Sequence, residues 1–227
     1  MERILYLYEP AERRFRRLPV SEHAQMPCVE RLRFPVSAFA RGAEGDLLWT
    51  DRRALVALDA LAKDAGFPFE VDCGFRRQPM GGRALLCHHA AGTAFDVGRS
   101  LPPGKQNALR LLAVSGGLFR WVEMPYASGT LLRLSLVRRF PALEAGFVGP
   151  YVLLLQDLLL RAGAYRGPLT GVFSEETERG VRRAERLLGL PATGRFTHSL
   201  WRPLVALTNA GTNAKMVLQI GKEQGSD

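Results

Sequence analysis

The feature that most constrains this chain is the placement of glycine and apolar residues between Val152 and Trp201. Val152, Leu155 and Leu159 fall at i, i+3 and i+7, the stripe of an amphipathic helix, and Gly163 ends it. Gly167, Gly171 and Phe173 follow in a turn-rich loop. Ser174 is placed to cap a second helix, with Glu175 and Glu176 near its positive end. Thr177, Val181, Ala184 and Leu188 form the apolar side of that helix, and Gly189 closes it. Pro191 and Gly194 make another loop, and Thr197 starts a third short helix holding Trp201 and Leu204. The spacing predicts an all-α, three-helix unit over 151–207 with a tail at 208–227.

This pattern resembles the three-helix peptidoglycan-binding domain found at the ends of many wall hydrolases. The family's V-x-x-L-Q, L-x-x-x-G, G-x-x-x-G-x-F and G-L-x-x-x-G elements are met by Val152, Leu155, Gln156, Leu159, Gly163, Gly167, Gly171, Phe173, Gly189, Leu190 and Gly194, with Trp201 as the late tryptophan. Gly180, Ala184 and Glu185 depart from the family's Ala, Phe and Gln. Leu187 and Leu188 are available to fill the space beside Ala184. The resemblance implies peptidoglycan as partner and marks Gln156, Tyr165, Gly167, Phe173 and Trp201 as the module's signature positions.

At 227 residues the chain is long enough for two small domains. The stretch 140–150 carries Pro and Gly without periodicity and reads as a linker. Upstream, 1–139 reads as an α+β domain with a small antiparallel sheet. Strands are expected at Arg3–Tyr8, at Leu32–Phe39 with Pro35 marking an edge, and at Phe67–Val71. Further strands are expected around Asp96, at Leu118–Glu123 and at Leu131–Val137. One helix is expected after Thr50, with Leu55, Leu58 and Leu61 on its inner side and Gly66 at its end. Another should open at Pro102-Pro103 and stop by Gly116-Gly117.

Within this domain, His89-Ala90-Ala91-Gly92-Thr93-Ala94-Phe95-Asp96 sets a histidine and a carboxylate around small residues. Such donors suit zinc, which takes three protein ligands plus water when catalytic. The H-x-x-G-x-A-x-D spacing resembles the signature of the D-Ala-D-Ala carboxypeptidase family of zinc peptidases. The preceding Asp72-Cys73-Gly74-Phe75-Arg76-Arg77-Gln78 is similar to that family's S-G-[YF]-R-S-x-x-Q element. The resemblance implies a zinc D,D-peptidase-like fold with His89 and Asp96 as metal ligands. It also implies that Arg76 holds the substrate carboxylate and that Glu123 is the general base.

The family's third ligand is a histidine after the base, and this chain has none there. In the E-x-x-H alignment Tyr126 takes the place. In the W-V-H-V-D alignment Arg133 takes it, with Ser135 for the aspartate; the alternation of Leu131–Val137 favours this second form. A guanidinium cannot shed its proton to bind a metal. Near 4 Å it would repel the ion by about 4 kcal/mol per pair of unit charges at an effective dielectric of 20. Arg133 could instead neutralise Asp96 in place of zinc. Cys87, two residues before His89, is a candidate substitute ligand. Three readings follow: a wall-binding protein with a degenerate zinc site that holds zinc weakly or not at all; an active, endolysin-like zinc peptidase with a substituted ligand; and a structural spore or envelope component.

The net charge of +9 implies attraction to polyanions without choosing among them. The run Arg13–Arg17 reads as a solvated strand or turn, and nucleic acid is not the expected partner. Three cysteines do not make a paired disulfide framework. No membrane span and no signal peptide are expected, so the reading is cytoplasmic synthesis with action at the wall, in a spore or after lysis.

Overall fold

Apolar alternation makes the first strand, β1 (Glu2–Glu9), whose Leu5 and Leu7 are buried. It pairs antiparallel with β2 (Arg14–Ser21), which holds much of the basic run at a sheet edge, and parallel with β3 (Leu47–Asp51). The structure, a computed structural model, describes residues 2–41, 43, 45–77, 84, 86–124 and 131–210. It divides into two compact units, Met1–Arg77 with Cys87–Arg139, and Gln78–Leu86 with Phe140–Asp227. The chain is mixed α+β. Among the described residues no helix is long and apolar enough to cross a membrane.

Between β2 and β3, Pro35 turns the expected strand at Leu32–Phe39 into something else. It has no N–H for a sheet ladder, its fixed φ suits a helix start, and its carbonyl accepts from the amides of Ala38 and Phe39. The result is a short helix, α1 (Val36–Phe39). Helix α2 (Arg52–Ala65) begins one residue later than expected because Asp51, not Thr50, caps it, accepting from Arg53 N at 2.9 Å. Gly66, at φ 65°, ends it in the left-handed conformation. Ala54, Leu55, Leu58 and Leu61 are its buried face.

The remaining strands of this unit form a second, fully antiparallel sheet. β4 (Val71–Cys73), β5 (Ala94–Val97), β6 (Trp121–Glu123) and β7 (Leu132–Ser135) lie in the order β4-β5-β7-β6. β5, β6 and β7 are shorter than their apolar runs suggested, and β4 is displaced, sharing only Val71 with the strand expected at Phe67–Val71. β4 starts only at Val71 after Pro68, and β6 only at Trp121 after the glycines that end α3 (Pro103–Ser115). Phe39, Phe75, Phe95 and Trp49 pack beneath this sheet, with the Trp49 and Phe75 rings edge to face at 4.7 Å.

The second unit is built on α4 (Pro150–Arg161) and α5 (Glu175–Leu187). Ser174 caps α5 as expected, accepting from Thr177 N, and acidic Glu175, Glu176 and Glu178 fill the first turn. The third helix enters as a 3-10 turn at His198–Leu200 and continues through 201–210. The stretch 140–150, expected as a linker, is packed into this unit. Phe140 meets Trp201 at 5.2 Å, Trp201 Nε1 donates to Pro141 O, and Leu143 bridges Phe196.

Candidate functional site

One polar row crosses the four-stranded sheet. The register sets Cys73 beside Asp96, Asp96 beside Arg133, and Arg133 beside Glu123. Residues directly opposite in an antiparallel ladder share a face, so strand pairing alone brings these four together. Arg133 grips Asp96 with both arms of its fork, Nε to Oδ1 at 2.8 Å and Nη2 to Oδ2 at 3.2 Å. Its Nη1 also lies 3.5 Å from Glu123 Oε1. Arg76, just past β4, places Nη2 3.8 Å from Asp96 Oδ2.

His89 reaches the row from the turn before β5. The chain enters extended at Cys87, makes a 3-10 turn over His88–Ala91 and leaves through Gly92 at φ 64°. The turn is pinned from β3: Trp49 Nε1 donates to Ala90 O at 3.0 Å and Thr50 Oγ1 to Gly92 O at 2.7 Å. A Cβ on Gly92 would stand 2.0 Å from the Trp49 carbonyl oxygen, so glycine is required by space as well as by φ. Arg76 N donates to His89 O, coupling the arginine element to the same turn.

His89 is buried, and its Nε2 stands 3.1 Å from Asp96 Oδ1. Distance and angle disagree about this pair. Nε2 is a buried atom with no aligned hydrogen-bond partner among the described residues, so we read the contact as charge attraction rather than a hydrogen bond. Burial alone would push the Asp96 carboxyl up, but His89 and Arg133 beside it outweigh that and hold it at about 2, below the ordinary 3.8. Burial alone would likewise lower His89, and Asp96 and Cys87 reverse it to a net rise. Burial is the largest single effect on the Cys87 thiol and raises it, but His89, the Ala90 amide and Arg76 together outweigh it, for a net fall.

Whether this row fits zinc is decided by its own charges. The bidentate Arg133 takes both oxygens of Asp96, where a metal would have to bind. Among the described residues no three His, Cys, Asp or Glu side chains come together as a metal-holding group. His89 and Asp96 meet as the resemblance implies, but with a guanidinium as their shared cationic neighbour, and the residues present do not fit the ion. What the row offers is two partly exposed guanidinium groups, Arg76 and Arg133, beside buried Asp96, with Glu123 3.5 Å from Arg133. Tyr126, the other third-ligand candidate, lies outside the described residues.

The sequence places Trp121 in the segment that carries Glu123 but does not show its contact with Arg138. Trp121 shares the face of Glu123 by strand alternation, and the Arg138 guanidinium sits over its ring at 4.6 Å.

In the second unit the signature positions are scaffold. Gln156, Tyr165, Phe173 and Trp201 are all buried. Gln156 Oε1 accepts from Thr170 N and Gly171 N, while the two hydrogens of its Nε2 are shared among three acceptors within reach, Thr170 Oγ1, Val172 O and Thr177 Oγ1. Tyr165 OH donates to Pro168 O. Gly167 lies against Tyr165 and Glu176, where a Cβ would come within 2.6 Å of both side chains. Gln156, Tyr165, Gly167 and Phe173 hold the loop between α4 and α5, while Trp201 packs on Phe140, Tyr151 and Phe196; a ligand must meet the exposed groups around them.

Residues 148–204 match the sequence model of a family described as "Putative peptidoglycan binding domain". The chain therefore carries a C-terminal peptidoglycan-binding domain. No curated protein and no solved structure matches the chain.

Proposed function

We propose that this protein binds bacterial peptidoglycan through its second unit, and that its first unit is a zinc-peptidase-like domain whose metal position has been taken over by Arg133. The observation that carries wall binding is the family match over 148–204, together with the Gln156-pinned loop that gives the motif a physical reason. The peptidase-like reading rests on the motif residues Arg76, His89, Asp96 and Glu123, which are spread along the sequence and converge on one polar row. Zinc is not retained in this reading, and Arg76 and Arg133 are able to hold a peptide carboxylate without cleaving it. Action at the wall, in a spore or after lysis follows from the partner.

One observation favours a second reading. Cys87 lies close enough to His89 to lower its own proton affinity, so a thiolate could join His89 and Asp96 as a metal ligand. That enzyme would have to expel Arg133 from Asp96, breaking a charge-assisted pair inside the domain.

Sedimentation of the full chain with sacculi stripped of teichoic acid tests wall binding. The reading expects the protein in the pellet at low and at moderate salt. Protein left in the supernatant at low salt refutes it, and binding that vanishes at moderate salt assigns the attraction to net charge alone.

A further inference from the structure

The first unit holds a concavity that shares no residue with the polar row. It is a groove of about 780 Å³, inside the range of roughly 300–1,000 Å³ typical of small-ligand sites. Four separated segments build it: the end of β1, the first turns of α2, the Gly117–Arg120 stretch before β6 and the residues just after β7. Val56, Ala57, Leu118, Leu136 and Val137 give it an apolar lining. Val56 is 49% and Leu118 37% exposed, so part of that lining stands in water.

The charged residues of the groove are unequal. Arg52, Arg53 and Arg120 face a single lining carboxylate, Glu9. Glu9 is already held by Arg52 at 3.0 Å and by Arg16 at 3.5 Å. Arg53 is engaged with the helix cap Asp51. Arg120 is exposed and makes no ion pair among the described residues. An apolar trough with an uncommitted guanidinium at its edge matches a ligand with an apolar body and one anionic end. A neutral apolar ligand would leave Arg120 unused, and a cationic one would meet three arginines.

We infer that this groove binds a single-chain anionic amphiphile, an alkyl chain ending in a carboxylate or a phosphate, with the chain along Val56, Leu118 and Val137 and the oxyanion on Arg120. This site is separate from the wall-binding unit and does not depend on that function.

Isothermal titration of the full chain with dodecanoate and with dodecyl phosphate, each below its micelle threshold, tests it. Saturable one-to-one binding of either probe is expected, and which one binds identifies the head group. Arg120→Ala should weaken binding about tenfold, the loss of roughly 1.4 kcal/mol from one charge-assisted contact. Val56→Glu, an exposed position, should weaken it by about the same factor or more while circular dichroism stays unchanged. Leu111→Glu, exposed on α3 but outside the lining, should leave it unchanged. Equal affinity for dodecylammonium, no saturable binding of either anion, or full binding by a folded Val56→Glu variant would each overturn the inference. So would adsorption to phosphatidylglycerol vesicles without capture of either free amphiphile, which assigns the groove to a membrane surface instead.

Discussion

Replacing Asp96 by alanine removes the one carboxylate on which His89, Arg76 and Arg133 converge. A carboxyl held at about 2 rather than 3.8 contributes on the order of 2–3 kcal/mol to folding at neutral pH. The variant also strands the Arg133 guanidinium, and orphaning one member of a buried pair costs about 3–5 kcal/mol. The two figures describe one interaction from opposite ends and are not additive, so a loss of about 3 kcal/mol is expected for Asp96→Ala. The sign with pH follows from the depressed carboxyl. Its contribution is present above the ordinary carboxylate range and disappears as pH falls toward 2. The difference between parent and variant should therefore shrink on acidification. The assay is urea denaturation combined with hydrogen exchange on peptides spanning 94–97 and 132–135, which reports the first unit apart from the second. Adding Arg133→Leu to Asp96→Ala should recover part of the loss, because the guanidinium most directly stranded by the missing carboxylate is then removed, while Arg76 and Glu123 each still lose one charged neighbour. A single variant within about 0.5 kcal/mol of the parent, or a double variant no better than the single, refutes the reasoning.

Two further perturbations follow from the geometry. Gln156→Ala removes up to four hydrogen bonds, two accepted by Oε1 and two from the Nε2 hydrogens, at the loop between α4 and α5 and should lower the stability of the second unit by roughly 2–4 kcal/mol, read as an earlier thermal transition and reduced sacculus binding. Gly92→Ala meets the Trp49 carbonyl and should cost roughly 3 kcal/mol or more, whereas Gly66→Ala, at a similar φ but in open space, should cost only about 1 kcal/mol, both read from denaturation midpoints.

The second unit was legible in the sequence because its glycines answer to local backbone geometry. Gly163, Gly171, Gly189 and Gly194 all adopt positive φ, so their spacing records where the chain must turn. The polar row was legible for a related reason. Alternation in Leu131–Val137 puts Arg133 on a defined face, and the motif spacing puts Asp96 on the neighbouring strand. What the sequence hid depends on distant partners. The parallel pairing of β1 with β3 needs a crossover that periodicity does not record. The packing of 140–150 against Trp201 depends on a contact about sixty residues away in the chain. The alkyl groove is assembled from four short segments, each of which reads alone as an ordinary helix face or loop. Gln156, a motif residue, stood out by type, but its role as a fully satisfied pin required the loop to be seen.

The central claim is that Arg133 stands where a catalytic metal would bind, and zinc content tests it most directly. The full chain, exposed to zinc and then dialysed against metal-free buffer, should retain much less than one equivalent by mass spectrometry. Arg133→His should retain more, since it exchanges the competing cation for a neutral ligand beside His89 and Asp96. One tightly held zinc in the unaltered protein, lost on Cys87→Ser, would contradict the account and identify a zinc site with a thiolate in the missing ligand's place.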